Sequence, residues 1–147
     1  MVSPATSTLE PDAVALRDDV MARLRAFFAA NASDLAAVYL FGSVARAAAR
    51  AESDVDVAVI HLRPAPSPLD RLDTELAGRL ERLLERPVEV VDLEAVPADL
   101  AHRILTDGIL VLEADRSKRI AVETRQRAQY FDLQPVLNEY RRLPRAP

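Results

Sequence analysis

Two aspartates and a glycine–serine pair are the residues of this chain whose types and spacing could carry chemistry. Gly42 and Ser43 follow one apolar run, and Asp54 and Asp56 open a second run that is rich in valine. Side chains two apart in a strand point to the same face. Asp54 and Asp56 are therefore predicted to project side by side, where their charges repel unless a cation neutralises them.

A magnesium ion would meet the needs of this acidic pair. Mg²⁺ prefers oxygen ligands and is usually held by one or two carboxylates together with substrate phosphates. Two such ions bridging the carboxylates would suit a displacement at phosphorus. The pair therefore predicts a divalent-metal site that acts on a phosphorylated substrate.

The glycine–serine turn is predicted to receive the phosphates. Gly42 lacks a Cβ, so the backbone can bend sharply there and come close to a ligand. Ser43 is expected to cap a short alanine-rich helix over residues 44–50, whose first N–H groups would face an anion. Arg46 and Arg50, four apart on this predicted helix, would clamp phosphate oxygens, or one of them would only solvate the helix.

Two further carboxylates lie on the next segment with strand composition, and the residues themselves leave open which of them could face the acidic pair. Residues 87–93 have strand composition and contain Glu89 and Asp92. An odd spacing puts these two on opposite faces of a regular strand, so only one can face the site unless a bulge intervenes. The alternative for Asp92 is that it ends the strand or caps a turn.

The order of helical and strand patterns predicts one domain with an α/β (α+β) fold, in which a single mixed sheet of about four strands is backed by helices. We expect a flexible terminus over residues 1–10 and the domain over 11–147. Helices are predicted over 12–30, 69–84, 97–105 and 115–134, and strands over 35–41, 54–60, 87–93 and 109–112. A proline-rich loop is expected over 63–68.

The tail is predicted to begin a basic helix at about residue 115, with Pro135 interrupting or restarting it. Its apolar side is expected to carry Ile120, Thr124, Ala128 and Phe131. Two roles are open for this helix: packing on the sheet with a solvated basic face, or docking another protein.

Composition excludes several classes of function. The 147 residues carry a net charge of −4, so the overall charge of the chain does not favour general binding to nucleic acids. There is no cysteine, hence no disulfide framework and no thiolate zinc site. No stretch has the apolar length of a membrane span, and the first ten residues do not resemble a secretory signal. We expect a cytoplasmic protein.

Taken together, Gly42-Ser43, a ten-residue spacer and Asp54-x-Asp56 resemble the signature of the DNA polymerase beta-like nucleotidyltransferase superfamily. Ala45-Arg46 and Ser53 also fit that pattern, and the short chain resembles the minimal nucleotidyltransferase branch, the MntA type. The resemblance extends over about residues 35–115. Ala47 departs from the pattern, because the family often has glycine there; we expect this to alter the start of the helix without removing a ligand.

The resemblance also implies roles for individual residues. Aligning residues 94–105 with the segment that follows the family's third acidic position puts Glu89 at that position, with Asp92 in reserve. Asp54, Asp56 and Glu89 would then be the catalytic and Mg²⁺-binding set. The nucleotide and its phosphates would contact Gly42, Ser43, Arg46 and Ser53.

By the same resemblance, the chain would transfer AMP from ATP to a tyrosine of a HEPN-domain ribonuclease toxin and so act as the antitoxin of a two-gene module. The tail helix would serve as the docking surface for that partner, and neither direct nucleic-acid binding nor membrane binding is expected. Two alternatives remain: a nucleotidyltransferase for a small-molecule acceptor such as an aminoglycoside, and an antitoxin that binds its toxin without chemistry.

Overall fold

The computed structural model describes residues 9–31, 34–63 and 73–144. The elements in these ranges are α1 (Pro11–Ala30), β1 (Leu35–Phe41), α2 (Gly42–Ala45), β2 (Val55–His61), α3 (Asp73–Leu84), β3 (Val88–Asp92), α4 (Ala98–Asp107), β4 (Ile109–Glu113) and α5 (Arg116–Arg142). Most of the predicted flexible terminus, most of the proline-rich loop and the start of the helix predicted over 69–84 lie outside the described residues.

The four strands form one open sheet in the order β3-β2-β1-β4. β1 runs antiparallel to both β2 and β4, and β2 pairs in parallel with β3. A parallel pair requires a crossover connection, and α3 lies between β2 and β3 in the chain. This arrangement confirms the predicted mixed sheet of about four strands backed by helices.

The alternation of side chains along the strands divides the core into two layers. Val55 and Val57 of β2 point into the layer shared with α1 and α3, and both are fully buried. Ala58 and Ile60 point into the opposite layer, which contains residues of α4 and α5. Because Asp56 has the same parity as Ala58 and Ile60, it belongs to the face that α4 and α5 cover.

The tail helix differs from its prediction in two respects. α5 continues through Pro135 as far as Arg142. A proline inside a helix removes one backbone hydrogen bond, and this part of α5 is exposed, so the freed carbonyl can bond to water. The predicted apolar side was also wrong: the buried residues of α5 are Val122 and Gln126, and the exposed ones include Ile120, Thr124, Ala128 and Phe131.

Among the described residues, none of the helices combines the length and the apolar character that a membrane crossing requires.

Candidate active site

Antiparallel pairing of β1 with β2 brings the glycine turn to the acidic strand. Phe41, the last residue of β1, is the register partner of Asp56, so Gly42 follows directly above the Asp56 side chain. Gly42 has a φ of +77°, a conformation that residues with a Cβ rarely adopt. A Cβ built on Gly42 would overlap Asp56 Oδ2 and would lie 3.1 Å from Asp56 Cγ. This position therefore requires glycine for both conformation and space.

The helix after the turn is shorter than predicted. α2 spans only Gly42–Ala45, and its N-cap is Phe41, which makes no side-chain cap. The expectation that Ser43 caps a helix over residues 44–50 was therefore wrong, because Ser43 lies inside the single turn. Since the helix ends before Arg46 and Arg50, these two arginines do not share a helix face either.

A Schellman motif ends α2 at the position where the resemblance predicts glycine. The Ala47 N–H donates to the Val44 carbonyl at 3.1 Å, and the Ala48 N–H donates to the Ser43 carbonyl at 2.9 Å. Ala47 has a φ of +53°, the left-handed conformation that this motif demands. The departure from the family pattern thus falls at the end of the helix, and the expectation that it alters the start of the helix was wrong.

Parallel pairing of β2 with β3 places Glu89 beside Asp56. The two are direct register partners, and Asp56 is half-buried. Burial raises the pKa of Asp56 to about 6, and the charges of Glu89 and Asp54 add to that rise. Arg46 acts in the opposite direction, and a side-chain hydrogen bond to Glu89 raises the pKa further. The site therefore concentrates negative charge around one poorly solvated carboxyl group.

The other two acidic candidates lie differently. Asp54 is exposed and comes immediately before β2, so it adds its charge to the site from outside the strand. Asp92 lies at the end of β3, where its Oδ1 accepts a hydrogen bond from the Glu94 N–H at 2.9 Å. The structure thus gives Asp92 the turn-forming position and brings Glu89 to Asp56.

Ser53 helps to shape the loop that leads into the acidic strand. Its Oγ accepts a hydrogen bond from the Arg50 N–H at 2.8 Å, and its own N–H donates to the Arg50 carbonyl at 3.0 Å. Arg86 ties the same loop to α3–β3 by donating to the Ala51 carbonyl at 2.9 Å. These bonds fix the approach of the chain to Asp54.

An open cleft of about 230 Å³ adjoins the paired carboxylates. The sequence predictions identified four of its lining residues, Gly42, Arg46, Asp56 and Glu89, but missed the contribution of α4. Leu100, Arg103 and Asp107 line the cleft from α4, and Phe41 and Val91 line it from the sheet. The helical spacing of the three α4 residues was the signal that could have found them.

The donor set suits magnesium. Burial raises the pKa of Asp56, and the nearby charges of Glu89 and Asp54 raise it further; a divalent cation would offset both effects. Within the described ranges, no three acidic or histidine side chains form a ready-made metal cage. Mg²⁺ does not need one, because it keeps waters and takes substrate phosphates as ligands beside one or two carboxylates.

A known protein family matches the part of the chain that contains the cleft. The model of the family "Polymerase beta, Nucleotidyltransferase" matches residues 23–117. Protein adenylyltransferase MntA of Shewanella oneidensis is 34% identical over 79 residues, which are 53% of this chain and 54% of that protein. The chain thus spans about half the length of the curated relative it matches.

Solved structures share the fold. A chain of a toxin–antitoxin crystal structure with AMP-PNP matches with a TM-score of 0.65 and 21% identity, covering 82% of this chain and 97% of that one. A chain from a tri-AMPylated Shewanella oneidensis HEPN toxin in complex with MNT antitoxin matches with a TM-score of 0.61 and 20% identity, covering 84% and 98%. Because the family match spans most of the chain and includes the glycine turn and both strands of the acidic site, this protein belongs to the polymerase beta-type nucleotidyltransferases.

Proposed function

We propose that this chain is an Mg²⁺-dependent protein adenylyltransferase that transfers AMP from ATP to a tyrosine of a HEPN-domain ribonuclease toxin and acts as its antitoxin. The observation that carries the proposal is the pairing of Asp56 with Glu89 under the Gly42 turn, at the side of an open cleft. Such a turn leaves room for a triphosphate beside carboxylates that need cations. The relatives supply the nature of the acceptor: one is named a protein adenylyltransferase, and a fold neighbour contains an AMPylated HEPN toxin.

In this proposal, Asp54 and Asp56 hold the magnesium, with Glu89 completing the set, and Asp92 keeps its place in the turn. Bound magnesium would neutralise the triphosphate and stabilise the charge that develops on the leaving pyrophosphate. The Gly42–Ser43 backbone would approach the phosphates closely. Arg46 lines the same cleft and would neutralise phosphate oxygens, whereas Ser53 would hold the loop beside them.

The group transfer follows from these positions. The acceptor oxygen attacks the α-phosphorus of ATP, forming a new O–P bond as the bond from that phosphorus to the β-phosphate oxygen breaks. Pyrophosphate leaves with the electron pair, and the hydroxyl proton of the acceptor passes to Glu89. Holding the acceptor and the phosphorus together in the cleft would lower the barrier by orientation.

The surface of α5 supports a protein acceptor. Phe131, Val136 and Tyr140 are 60%, 59% and 76% exposed on the outer half of this helix. Large apolar side chains clustered on one exposed element mark protein interaction sites. A docked partner would bury them, which fits the predicted docking role of the tail and makes a small-molecule acceptor the less favoured alternative.

The test mixes the protein with ATP labelled at the α-phosphate, Mg²⁺ and a HEPN-domain ribonuclease, which is first sought in the adjacent reading frame. We expect label on a tyrosine of the ribonuclease and a parallel loss of its RNase activity. Asp56→Asn should abolish both, whereas Asp12→Asn, at an exposed position of α1, should leave both unchanged. Label on a small molecule alone would favour a nucleotidyltransferase for a small-molecule acceptor. If Asp56→Asn inhibits the RNase as strongly as the wild-type protein does and no label is transferred, an antitoxin that binds its toxin without chemistry is favoured.

A further inference from the structure

We propose that α4 and β3 form a subsite that selects a phenol as the acceptor, with Val91 and Leu100 as its apolar walls and Arg103 as the group that covers the ring. This inference deepens the proposed function and rests on it. It assigns the choice of acceptor to specific side chains of this chain, and none of these side chains belongs to the acidic set or the glycine turn.

Two faces of α4 contact other parts of the protein, and its third face lines the cleft. Ala101 and Ile104 are fully buried against the sheet. His102 stacks on Tyr130 of α5, with ring centroids 3.8 Å apart and ring planes 5° from parallel. With two faces occupied in this way, the third face carries Leu100, Arg103 and Asp107, and these three residues line the cleft.

The apolar walls lie next to the carboxylate that would accept the proton. Val91 is two residues after Glu89 on β3, so both side chains project to the same face, roughly 7 Å apart along the strand. Leu100 lines the cleft with them from α4. An acceptor hydroxyl at Glu89 would therefore extend its carbon skeleton along Val91 and Leu100.

The side chains of the cleft restrict the shape of the acceptor more than its charge. Arg46 and Arg103 line the cleft together with Asp56, Glu89 and Asp107, so both signs of charge are present. Arg103 is exposed and free to lie over an aromatic face, where a guanidinium is attracted by the ring. A serine side chain would reach Glu89 but would leave the apolar walls unfilled. A tyrosine side chain would place its hydroxyl at Glu89, pack its ring against the apolar walls and lie under the guanidinium of Arg103.

The experiment measures AMP transfer to the HEPN-domain ribonuclease, and separately to N-acetyltyrosinamide and N-acetylserinamide, which are too small to use a docking surface. We expect the wild-type protein to label the tyrosine compound at least tenfold faster than the serine compound. Leu100→Ala and Arg103→Ala should each raise the KM for the tyrosine compound by roughly three- to thirtyfold. The affinity for AMP-PNP with Mg²⁺ should change by less than about twofold, since the subsite does not hold the nucleotide.

Matched controls separate the subsite from the fold. Arg82→Ala and Leu83→Ala make the same substitutions on α3, in the opposite layer, and should leave the KM for the tyrosine compound unchanged. Arg103→Lys keeps the charge but loses the planar group, so it should restore only part of the preference for tyrosine. The inference is overturned if the α4 variants keep the wild-type preference, or if they weaken AMP-PNP binding as much as acceptor use. Absence of label on any protein or tyrosine acceptor with the wild-type chain would instead refute the proposed function, and the subsite with it.

Discussion

The backbone of Gly42 lies directly against the carboxylate of Asp56, so that a Cβ on residue 42 would overlap Asp56 Oδ2. The antiparallel register of Phe41 with Asp56 produces this contact, because it places the first residue after β1 over the acidic residue of β2. The turn and the carboxylate are thus two parts of one arrangement, and a change in either should disturb the other.

Gly42→Ala is expected to reduce nucleotidyl transfer at least a hundredfold and to lower the free energy of unfolding by about 2 kcal/mol. The new methyl group would displace Asp56, and alanine tolerates a φ of +77° poorly. Gly78→Ala is the matched control, because a Cβ there meets nothing within 4 Å and residue 78 lies inside α3. The free energy of unfolding of Gly78→Ala, measured by urea denaturation, should rise by about 1 kcal/mol, and this variant should keep full activity. Equal activity of the two variants would contradict the close contact.

Asp56→Asn is expected to make the protein more stable at pH 7.5 and inactive. The folded-state pKa of Asp56 is raised from 3.8 to about 6, so between these values the folded chain binds more protons than the unfolded chain. Stability therefore falls as pH rises through this window, and the full loss persists above pH 6. Asparagine is neutral at every pH, so the variant does not lose stability in this way.

Thermal melts at pH 4 and pH 7.5, without divalent cations, test this prediction. The Tm gain of Asp56→Asn should be present at pH 7.5 and nearly absent at pH 4, where the native carboxyl group is mostly protonated. Mg²⁺ should raise the Tm of the wild-type protein more than that of the variant. A lower Tm for Asp56→Asn at pH 7.5 would contradict a raised pKa of Asp56 in the folded protein.

Ala47→Gly is expected to raise the free energy of unfolding by up to about 1 kcal/mol, because it relieves a left-handed alanine at the end of α2. Ala48→Gly, one residue later and exposed, should instead lower it. Chemical denaturation of both variants compares the two positions. If both glycines destabilise equally, the backbone at Ala47 is not strained.

Tyr39→Phe is expected to lower the free energy of unfolding by about 1–2 kcal/mol. The buried Tyr39 hydroxyl donates to Glu123 Oε1 of α5 at 2.5 Å, and Arg119 donates to the same oxygen at 2.8 Å. Burial and the adjacent Glu123 raise the pKa of Tyr39, so this hydroxyl keeps its proton and the loss should not depend on pH between 6 and 9. Tyr140→Phe, on the exposed end of α5, is the control and should change nothing.

The sequence predicted the sheet well because its strands are distinct apolar runs with clear stops. The bounds of β1 agreed with the prediction, and those of β2 and β3 differed by one residue at each end. The pairing of Asp56 with Glu89 follows from register, which depends on how α3 returns the chain to the sheet and cannot be read from spacing alone. The prediction of Glu89 therefore came from resemblance, and its catalytic role stays a prediction.

The errors have local physical causes. Alanine content suggested a helix over residues 44–50, but the left-handed turn at Ala47 ends the helix after one turn. The apolar side of α5 was misassigned because the exposed apolar residues of this helix outnumber the buried ones. The face of α4 in the cleft was missed because a leucine, an arginine and an aspartate at helical spacing look like an ordinary half-exposed surface.

In the proposed function, Asp54 and Asp56, beside the Gly42 turn, hold a divalent cation that carries the triphosphate. Calorimetric titration with AMP-PNP, with and without Mg²⁺, tests it most directly on the wild-type protein, Asp54→Asn, Asp56→Asn and the control Asp12→Asn. We expect that binding of AMP-PNP by the wild-type protein and the control requires Mg²⁺, and that either site variant weakens this binding at least tenfold. Binding of equal strength without Mg²⁺, or undiminished binding by Asp56→Asn, would rule out such a cation site.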